Sequence, residues 1–182
     1  MILLRASTPE NPSVGPMPTN LSKVISGGQT GVDQAALRAA QACGLECGGW
    51  CPPGRECESG VIPSRFPLQE TPRDRSPDAS DIPRSQRTEW NVRDSDATLL
   101  LRPRSTAAED LGTAWTEQCA ARFGSPLLVL DPGDPNAAAD IQRWLSAVEA
   151  RTLNVAGPSE GKAPEIGDQA YSLLVKVFAS TH

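Results

Sequence analysis

The sequence predicts a three-layer α/β fold in which helices cover both faces of a mostly parallel, doubly wound sheet. Short apolar runs without polar alternation stand at residues 97–101, 127–130 and 152–156, a pattern typical of strands buried on both faces. Helix-forming segments separate these runs, and strands that alternate with helices indicate parallel order. A glycine-rich turn at residues 26–31 leads from a further apolar run into the first helix. Together these features favour a Rossmann-like arrangement.

The opening unit is predicted to be a strand, a glycine turn and a helix. The strand covers residues 23–26, and the helix covers 33–43, where alanine, the best helix former, dominates. Gly44 supplies a natural C-terminal stop for this helix. A second short strand is expected at 45–51.

The next stretch, residues 58–86, predicts a long loop because its five prolines forbid an extended helix. Loops of this length in a compact fold are uncommon and often functional. A brief edge strand is expected within it at 66–71.

The remaining elements follow in regular alternation. Helices are predicted at 87–93, with Ser85 as its cap, and at 112–123, 136–149 and 165–179. The apolar runs named above form the intervening strands, and the strand at 127–130 is expected to be buried. Apolar residues recur at core spacing in the last two helices, which favours packing on one face.

The 182 residues suit one folded unit. Residues 1–20 contain four prolines and are expected to form a flexible leader, and residues 21–182 a single ligand-binding domain. The net charge of −5 disfavours a nucleic-acid partner, because affinity for nucleic acids comes largely from Lys and Arg. No apolar run is long enough to predict a membrane span.

The cysteines predict reduced thiols in a cytoplasmic protein, with Cys43 on a core-facing helix surface. Four of them are close in sequence, at positions 43, 47, 51 and 57, but no CxxC pair exists and the single histidine is His182. Zinc sites usually show tighter paired spacing. We therefore expect no metal site built from these residues.

The glycine turn is the most informative candidate site. It contains Gly27, Gly28, Gln29, Thr30 and Gly31, and Asp33 follows at the start of the helix. Glycines let the backbone approach a ligand closely, and amides at a helix start suit a phosphate. The alternative is a plain tight turn in which Asp33 caps the free amides.

Other candidates are grouped with this turn because ligands of doubly wound sheets bind at the carboxyl ends of the strands. They are the Gly112–Thr113 turn, Arg55 in the loop after the second strand, and the turn from Asn154 through Gly157. Arg87 is a further candidate, since a guanidinium fork fits a phosphate or carboxylate. Each has a plain structural alternative: a helix entry, a surface arginine or a tight turn.

These motifs together resemble the putative molybdenum carrier family. The resemblance covers residues 22–179 and rests on ordered segments, which read SGGQTGVDQAAL from Ser26, GGWCPPGR from Gly48, PLQET from Pro67, RTEWNVRDSDAT from Arg87, GT at Gly112 and LNVAGP from Leu153. Two positions depart from the family pattern. Leu111 stands where a glycine is common, and Ser159 where an arginine is common.

The resemblance implies a place within the wider LOG and lysine-decarboxylase-like group of nucleotide-binding, Rossmann-like proteins. It implies molybdenum cofactor (molybdopterin), a phosphate-bearing pterin, or a related nucleotide as the ligand. It also implies a homo-oligomer, dimer or tetramer, and molybdenum enzymes as recipients of the cargo. In this interpretation the glycine turn, Arg55, Thr113 and Asn154 form a single site.

Catalysis is disfavoured by one position. LOG-type phosphoribohydrolases carry a catalytic glutamate three residues after the threonine that corresponds to Thr113, and here that residue is Thr116. A hydroxyl cannot replace a carboxylate as a general base at neutral pH. Three hypotheses stay open: a carrier, a nucleotide-processing hydrolase or transferase using Asp33, Glu70 or Asp96 as base, and an oligomeric nucleotide sensor.

Overall fold

The computed structural model describes residues 19–105 and 110–180, and within them five parallel strands form the central sheet. The strands in chain order are β1 (Lys23–Ile25), β2 (Glu46–Gly48), β3 (Trp50–Cys51), β4 (Glu56–Cys57), β5 (Gly60–Val61), β6 (Gln69–Glu70), β7 (Ala97–Leu101), β8 (Leu127–Leu130) and β9 (Thr152–Ala156). The order across the central sheet is β2-β1-β9-β7-β8, and every neighbouring pair is parallel.

Five α-helices cover this sheet in two layers. They are α1 (Val32–Ala42), α2 (Ser85–Arg93), α3 (Leu111–Phe123), α4 (Ala137–Val148) and α5 (Ile166–Phe178). Helices α1, α4 and α5 pack against one face through a core that includes Leu99, Leu153 and Phe178. Helices α2 and α3 pack together on the other side around Trp115 and Cys119. The predicted three-layer, doubly wound α/β fold is confirmed.

The strand order places a switch point at the centre of the sheet. From β1 the chain moves outward to β2, and from β7 it moves outward to β8 on the opposite side. The last strand, β9, fills the gap between β1 and β7. Because all five strands run in the same direction, the turns after β1, β7 and β9 meet at one edge, where such folds bind ligands.

The segment between β2 and α2 is more structured than its composition predicts. Strand β3 pairs in parallel with β6, and β4 and β5 form an antiparallel pair. A small apolar cluster holds the segment to α1; its buried members are Leu37, Cys51, Cys57, Ile62, Phe66 and Leu68. Tertiary packing therefore orders this segment, although its prolines predict an irregular loop.

Several local expectations differ from the structure. The predicted strand at 45–51 is split at Gly49, whose φ of 123° breaks it into β2 and β3. Strand β8 is only partly buried because it lies at the sheet edge. Ser85 is the first residue of α2, and Arg84, with φ 59°, precedes it as the cap residue. Cys43 packs against the core as predicted, but it is the C-cap residue that follows α1 and is only half-buried.

The predicted leader falls largely on residues 1–18, which lie outside the described residues. Within the described ranges, no helix combines the length and apolar character needed to cross a membrane.

Gly31 and Gly44 allow a test of the backbone constraints at the strand ends. Their φ values are similar, 77° and 74°, but the ψ of Gly31 is −126°, outside the left-handed region that other residues can adopt. A Cβ on Gly31 would also lie 2.5 Å from the Pro158 carbonyl oxygen, whereas Gly44 faces open space. We expect Gly44→Ala to cost about 1 kcal/mol from its positive φ alone and Gly31→Ala about 3 kcal/mol, because a more strained backbone and overpacking both add to the cost there. Urea unfolding of both variants measures the difference. Equal losses would contradict the close approach.

Candidate functional site

A cleft lies at the carboxyl ends of β1, β7 and β9 and has two connected parts. The inner chamber, about 80 Å³, is walled by the turn after β1, the start of α3 and the turn after β9. The outer chamber, about 830 Å³, is lined by residues of the segments 82–87, 103–105, 110–112 and 162–169. Arg84, Arg87, Asp110, Gly112 and Lys162 line both parts. We call the two chambers together the strand-end cleft.

A buried ion pair crosses the inner chamber between α2 and α1. The Arg87 Nη1 atom lies 3.0 Å from Asp33 Oδ2, and the side chains are 18% and 2% exposed. Burial raises the pKa of Asp33, and the Arg87 guanidinium opposes that rise. The Arg87 Nε atom is buried and has no hydrogen-bond partner among the described residues. The ion pair thus holds the Arg87 guanidinium at the chamber, and its Nε–H group has no acceptor among the described residues.

Arg84 is a second cation of the chamber, and it is held by a neutral partner. Its Nη1 atom donates to the Gln29 side-chain oxygen at 2.8 Å, and Gln29 in turn donates from Nε2 to the Glu56 carbonyl at 2.9 Å. Arg84 adopts a left-handed φ of 59°. Such a conformation costs a non-glycine residue about 1–3 kcal/mol and is enriched at functional sites.

Lys162 is the third cation, and it binds Asp110 at the start of α3. Asp110 caps the helix by accepting from the Gly112 amide at 3.3 Å and from the Thr113 hydroxyl at 2.8 Å. Burial alone would raise the pKa of Asp110, but the hydrogen bonds from Lys162 and Thr113 and the lysine charge hold that pKa below its ordinary value. Thr113 therefore lies inside the first turn of α3, and Asp110 is the capping residue.

Hydroxyl groups complete the lining of the inner chamber. Thr88, Thr113 and Thr116 are all buried and line it. The Thr116 hydroxyl donates to the Gly112 carbonyl at 3.0 Å. Cations and hydroxyls together form a surface suited to an oxyanion, since ionised groups make the stronger hydrogen bonds.

The glycine turn contributes to the cleft through only some of its residues. Gln29 and Asp33 line the inner chamber, and the Gln29 amide donates to Asp33 Oδ2 at 3.2 Å. A Cβ on Gly27 would lie 2.0 Å from Arg87 Nη1, so this glycine admits the guanidinium. Gly28, with φ 77°, lies against Leu68 and Ile62.

The end of the turn faces away from the cleft. The Thr30 hydroxyl donates to Glu58 and accepts from the Glu160 amide at 3.2 Å. Gly31 packs closely on Pro158. Thr30 and Gly31 line a separate groove between α1, residues 58–65 and residues 160–168. Part of this turn therefore has a structural role, as the alternative interpretation of the sequence expected, while Gln29 and Asp33 line the cleft.

Of the remaining predicted site residues, Gly112, Thr113 and Gly157 line the inner chamber, whereas Arg55 and Asn154 do not. The Arg55 guanidinium donates to the carbonyls of Ile62, Pro63, Phe66 and Leu68. It orders the 62–68 segment and lies outside the cleft. Asn154 donates from Nδ2 to the Thr98 hydroxyl at 3.3 Å, within the sheet.

Sequence reasoning missed Arg84, Asp110 and Lys162. Each lies in a polar connecting segment far along the chain from the glycine turn. No spacing rule joins them to it, because only the folded sheet brings the ends of β1, β7 and β9 together. The one available signal was their position just before or after a predicted element.

The tryptophans and cysteines lie away from the cleft. Trp50 and Trp90 pack edge to face at 4.8 Å, and Trp50 Nε1 donates to Asp94 at 2.7 Å. Cys51 is fully buried in the apolar cluster on α1. In the part of the chain that the structure describes, no three His, Cys, Asp or Glu residues come close enough to hold a metal ion.

The buried ion pair predicts a pH-dependent stability defect in Arg87→Gln. Because the pKa of Asp33 is above its ordinary 3.8, the folded state binds this proton more tightly, and stability falls as pH rises through that pKa. Removing Arg87 raises the pKa further, so we expect a loss of about 3 kcal/mol near neutral pH that shrinks on acidification. Urea unfolding across a pH series measures it, and Asp33→Asn/Arg87→Gln is the control without a titrating group. A defect that is constant with pH would contradict the assignment.

Comparison with known proteins agrees with the motifs. The model of the circularly permutated YpsA SLOG family matches residues 24–178. The chain is also similar to the crystal structure of a putative molybdenum carrier protein from Syntrophus aciditrophicus SB, at 38% identity and a TM-score of 0.78, over 89% of this chain and 97% of that one. No curated protein matches the chain. The resemblance inferred from the motifs is confirmed, and the chain belongs to the circularly permutated YpsA SLOG family.

Proposed function

We propose that this protein binds and carries a phosphate-bearing pterin or nucleotide, with molybdenum cofactor as the first candidate. The observation that carries the proposal is the convergence of Arg84, Arg87 and Lys162 on one cleft at the switch point of the sheet. Two carboxylates, Asp33 and Asp110, line the same chamber, so cations exceed anions by one. A bound phosphate would offset that excess.

The two chambers suit the two halves of such a ligand. The inner one has room for a small anionic group among the cations and hydroxyls. The outer one carries apolar side chains, including Ile82, Pro83, Pro164 and Ile166. Its volume of about 830 Å³ lies in the range of small-molecule sites. We propose that the phosphate enters the inner chamber and the ring system the outer one.

The molybdenum is proposed to belong to the cargo. The described residues offer no cluster of metal ligands, so the protein would hold the cofactor through its phosphate and ring and leave the metal to the cofactor's own ligands. Similarity to a putative molybdenum carrier supports this proposal. Delivery to molybdenum enzymes, a homo-oligomeric state and a cytoplasmic location stay predictions.

A hydrolase or transferase is the less favoured alternative. Of the three bases that the sequence offered, Glu70 accepts from the Gly54 amide, and Asp96 accepts from the amides of Arg151 and Thr152. Only Asp33 lines the cleft, and it is paired with Arg87. Turnover of any member of a nucleoside-phosphate panel would favour the enzyme over the carrier.

Mass spectrometry of small molecules that copurify with the native protein is the most direct test. We expect a phosphorylated pterin or nucleotide, and we expect calorimetry to show its binding to the stripped protein. Because the cations of the inner chamber are proposed to bind the phosphate, we expect the free ring compound without phosphate to bind far more weakly. If no anionic pterin or nucleotide binds, the proposed function is wrong.

Arg84→Gln tests the contribution of the chamber cations. Arg84 pairs with neutral Gln29, so its charge is available to the ligand, and a charge-assisted hydrogen bond is worth about 1.5–3 kcal/mol. We expect an affinity loss of about tenfold or more for the copurifying ligand, with little change in stability. Calorimetric titration measures it. Arg143→Gln is the control, since Arg143 lies on α4 and pairs with Asp140; equal losses in both variants would contradict a specific role.

A further inference from the structure

The Asp33 carboxylate is placed where a bound oxyanion would change its ionisation. It is 2% exposed, it lines the inner chamber, and its ion-pair partner among the described residues is Arg87. The same guanidinium lines the chamber through its remaining surface. A ligand that uses Arg87 therefore competes with Asp33 for the positive charge that favours the ionised form of Asp33.

The charged groups around Asp33 come from three elements. Helix α2 and the residue before it supply Arg87 and Arg84, the start of α3 supplies Asp110, and the segment after β9 supplies Lys162. Arg84 and Lys162 are directed to Gln29 and Asp110. The chain's single histidine, His182, lies outside the described residues. Within the described ranges, Arg87 is the cation that pairs with Asp33.

An incoming oxyanion disfavours ionised Asp33 in two ways. It takes hydrogen bonds from Arg87, and it places negative charge beside a carboxylate that is out of water. Both effects favour the neutral form. Burial already raises the pKa of Asp33 in the free protein, and the bound oxyanion would raise that pKa further.

We propose that the strand-end cleft binds its oxyanion together with one proton, which Asp33 takes up. The proton comes from solvent and adds to the Asp33 carboxylate, with no other bond made or broken. Asp33 thereby acts as a specificity-determining residue. The proton neutralises its carboxylate and so offsets the negative charge that an anionic ligand brings into the chamber. This inference rests on the proposed function, because it requires an anion in the inner chamber.

The pH dependence of affinity follows from this linkage. Binding that takes up a proton weakens as pH rises between the pKa values of Asp33 in the free and bound states. Phosphate itself gains charge near neutral pH and would mask the effect. Inorganic sulfate is the better probe, because its charge does not change between about pH 5 and pH 8.

Sulfate titration by calorimetry tests the proposal on the wild-type protein. Measurements in two buffers of different ionisation enthalpy give the number of protons taken up per sulfate. We expect uptake approaching one proton, with an affinity that falls by up to about tenfold per pH unit within the window. Sulfate binding with no proton uptake and no pH dependence would overturn the inference and leave the anion site standing. Absence of sulfate binding would overturn this inference, whereas the proposed function is decided separately by the titrations with pterins and nucleotides.

Two isosteric variants locate the proton. Asp33→Asn removes the titrating group, and we expect its sulfate affinity to be independent of pH. Asp110→Asn is the matched control, because Asp110 lines the same chamber while the pKa of Asp110 is held below its ordinary value; we expect it to retain the wild-type pH dependence. If only Asp110→Asn lost the pH dependence of sulfate affinity, Asp110 and not Asp33 would be the group that takes up the proton, and the inference would be wrong. Should Asp33→Asn fail to fold, the two-buffer measurement still decides the proposal.

Discussion

The ion pair between Asp33 and Arg87 is the interaction on which the cleft depends. It joins the start of α1 to α2, which lie on opposite faces of the sheet. Gly27 makes the pair possible, because a Cβ there would overlap the guanidinium. Since a buried charge without its partner is strongly unfavourable, loss of either residue would disturb both the fold and the site.

Close packing at the strand ends is the second constraint. A Cβ on Gly157 would lie 2.4 Å from the Leu101 carbonyl oxygen and 2.6 Å from Val32 Cγ2. A Cβ on Gly31 would likewise lie 2.5 Å from the Pro158 carbonyl oxygen. The glycines of both turns therefore allow backbone to approach backbone, and the charged groups that line the cleft are side chains from neighbouring segments. This division explains why a glycine-rich turn is necessary for the cleft but does not by itself supply its charged lining.

Some of the predicted site residues line the strand-end cleft and others lie outside it, and the reasons differ among residues. Gln29, Asp33, Gly112, Thr113 and Gly157 line the inner chamber as grouped, because the rule that ligands bind at the carboxyl ends of parallel strands is topological. Arg55 follows a Pro-Pro-Gly turn and was therefore grouped with the site, but its guanidinium donates to four nearby backbone carbonyls instead. An arginine's surroundings cannot be inferred from its position next to a proline and a glycine.

The sequence by itself determined the fold class and the family, because hydrophobic period, glycine turns and ordered motifs are local signals that do not depend on long-range contacts. It also placed the cleft at the correct sheet edge. Only the tertiary structure decided which cations reach the cleft, since Arg84 and Lys162 come from segments remote from Gln29 in the chain. It also decided that Arg87 pairs with Asp33, because burial and charge pairing arise only when the layers pack together.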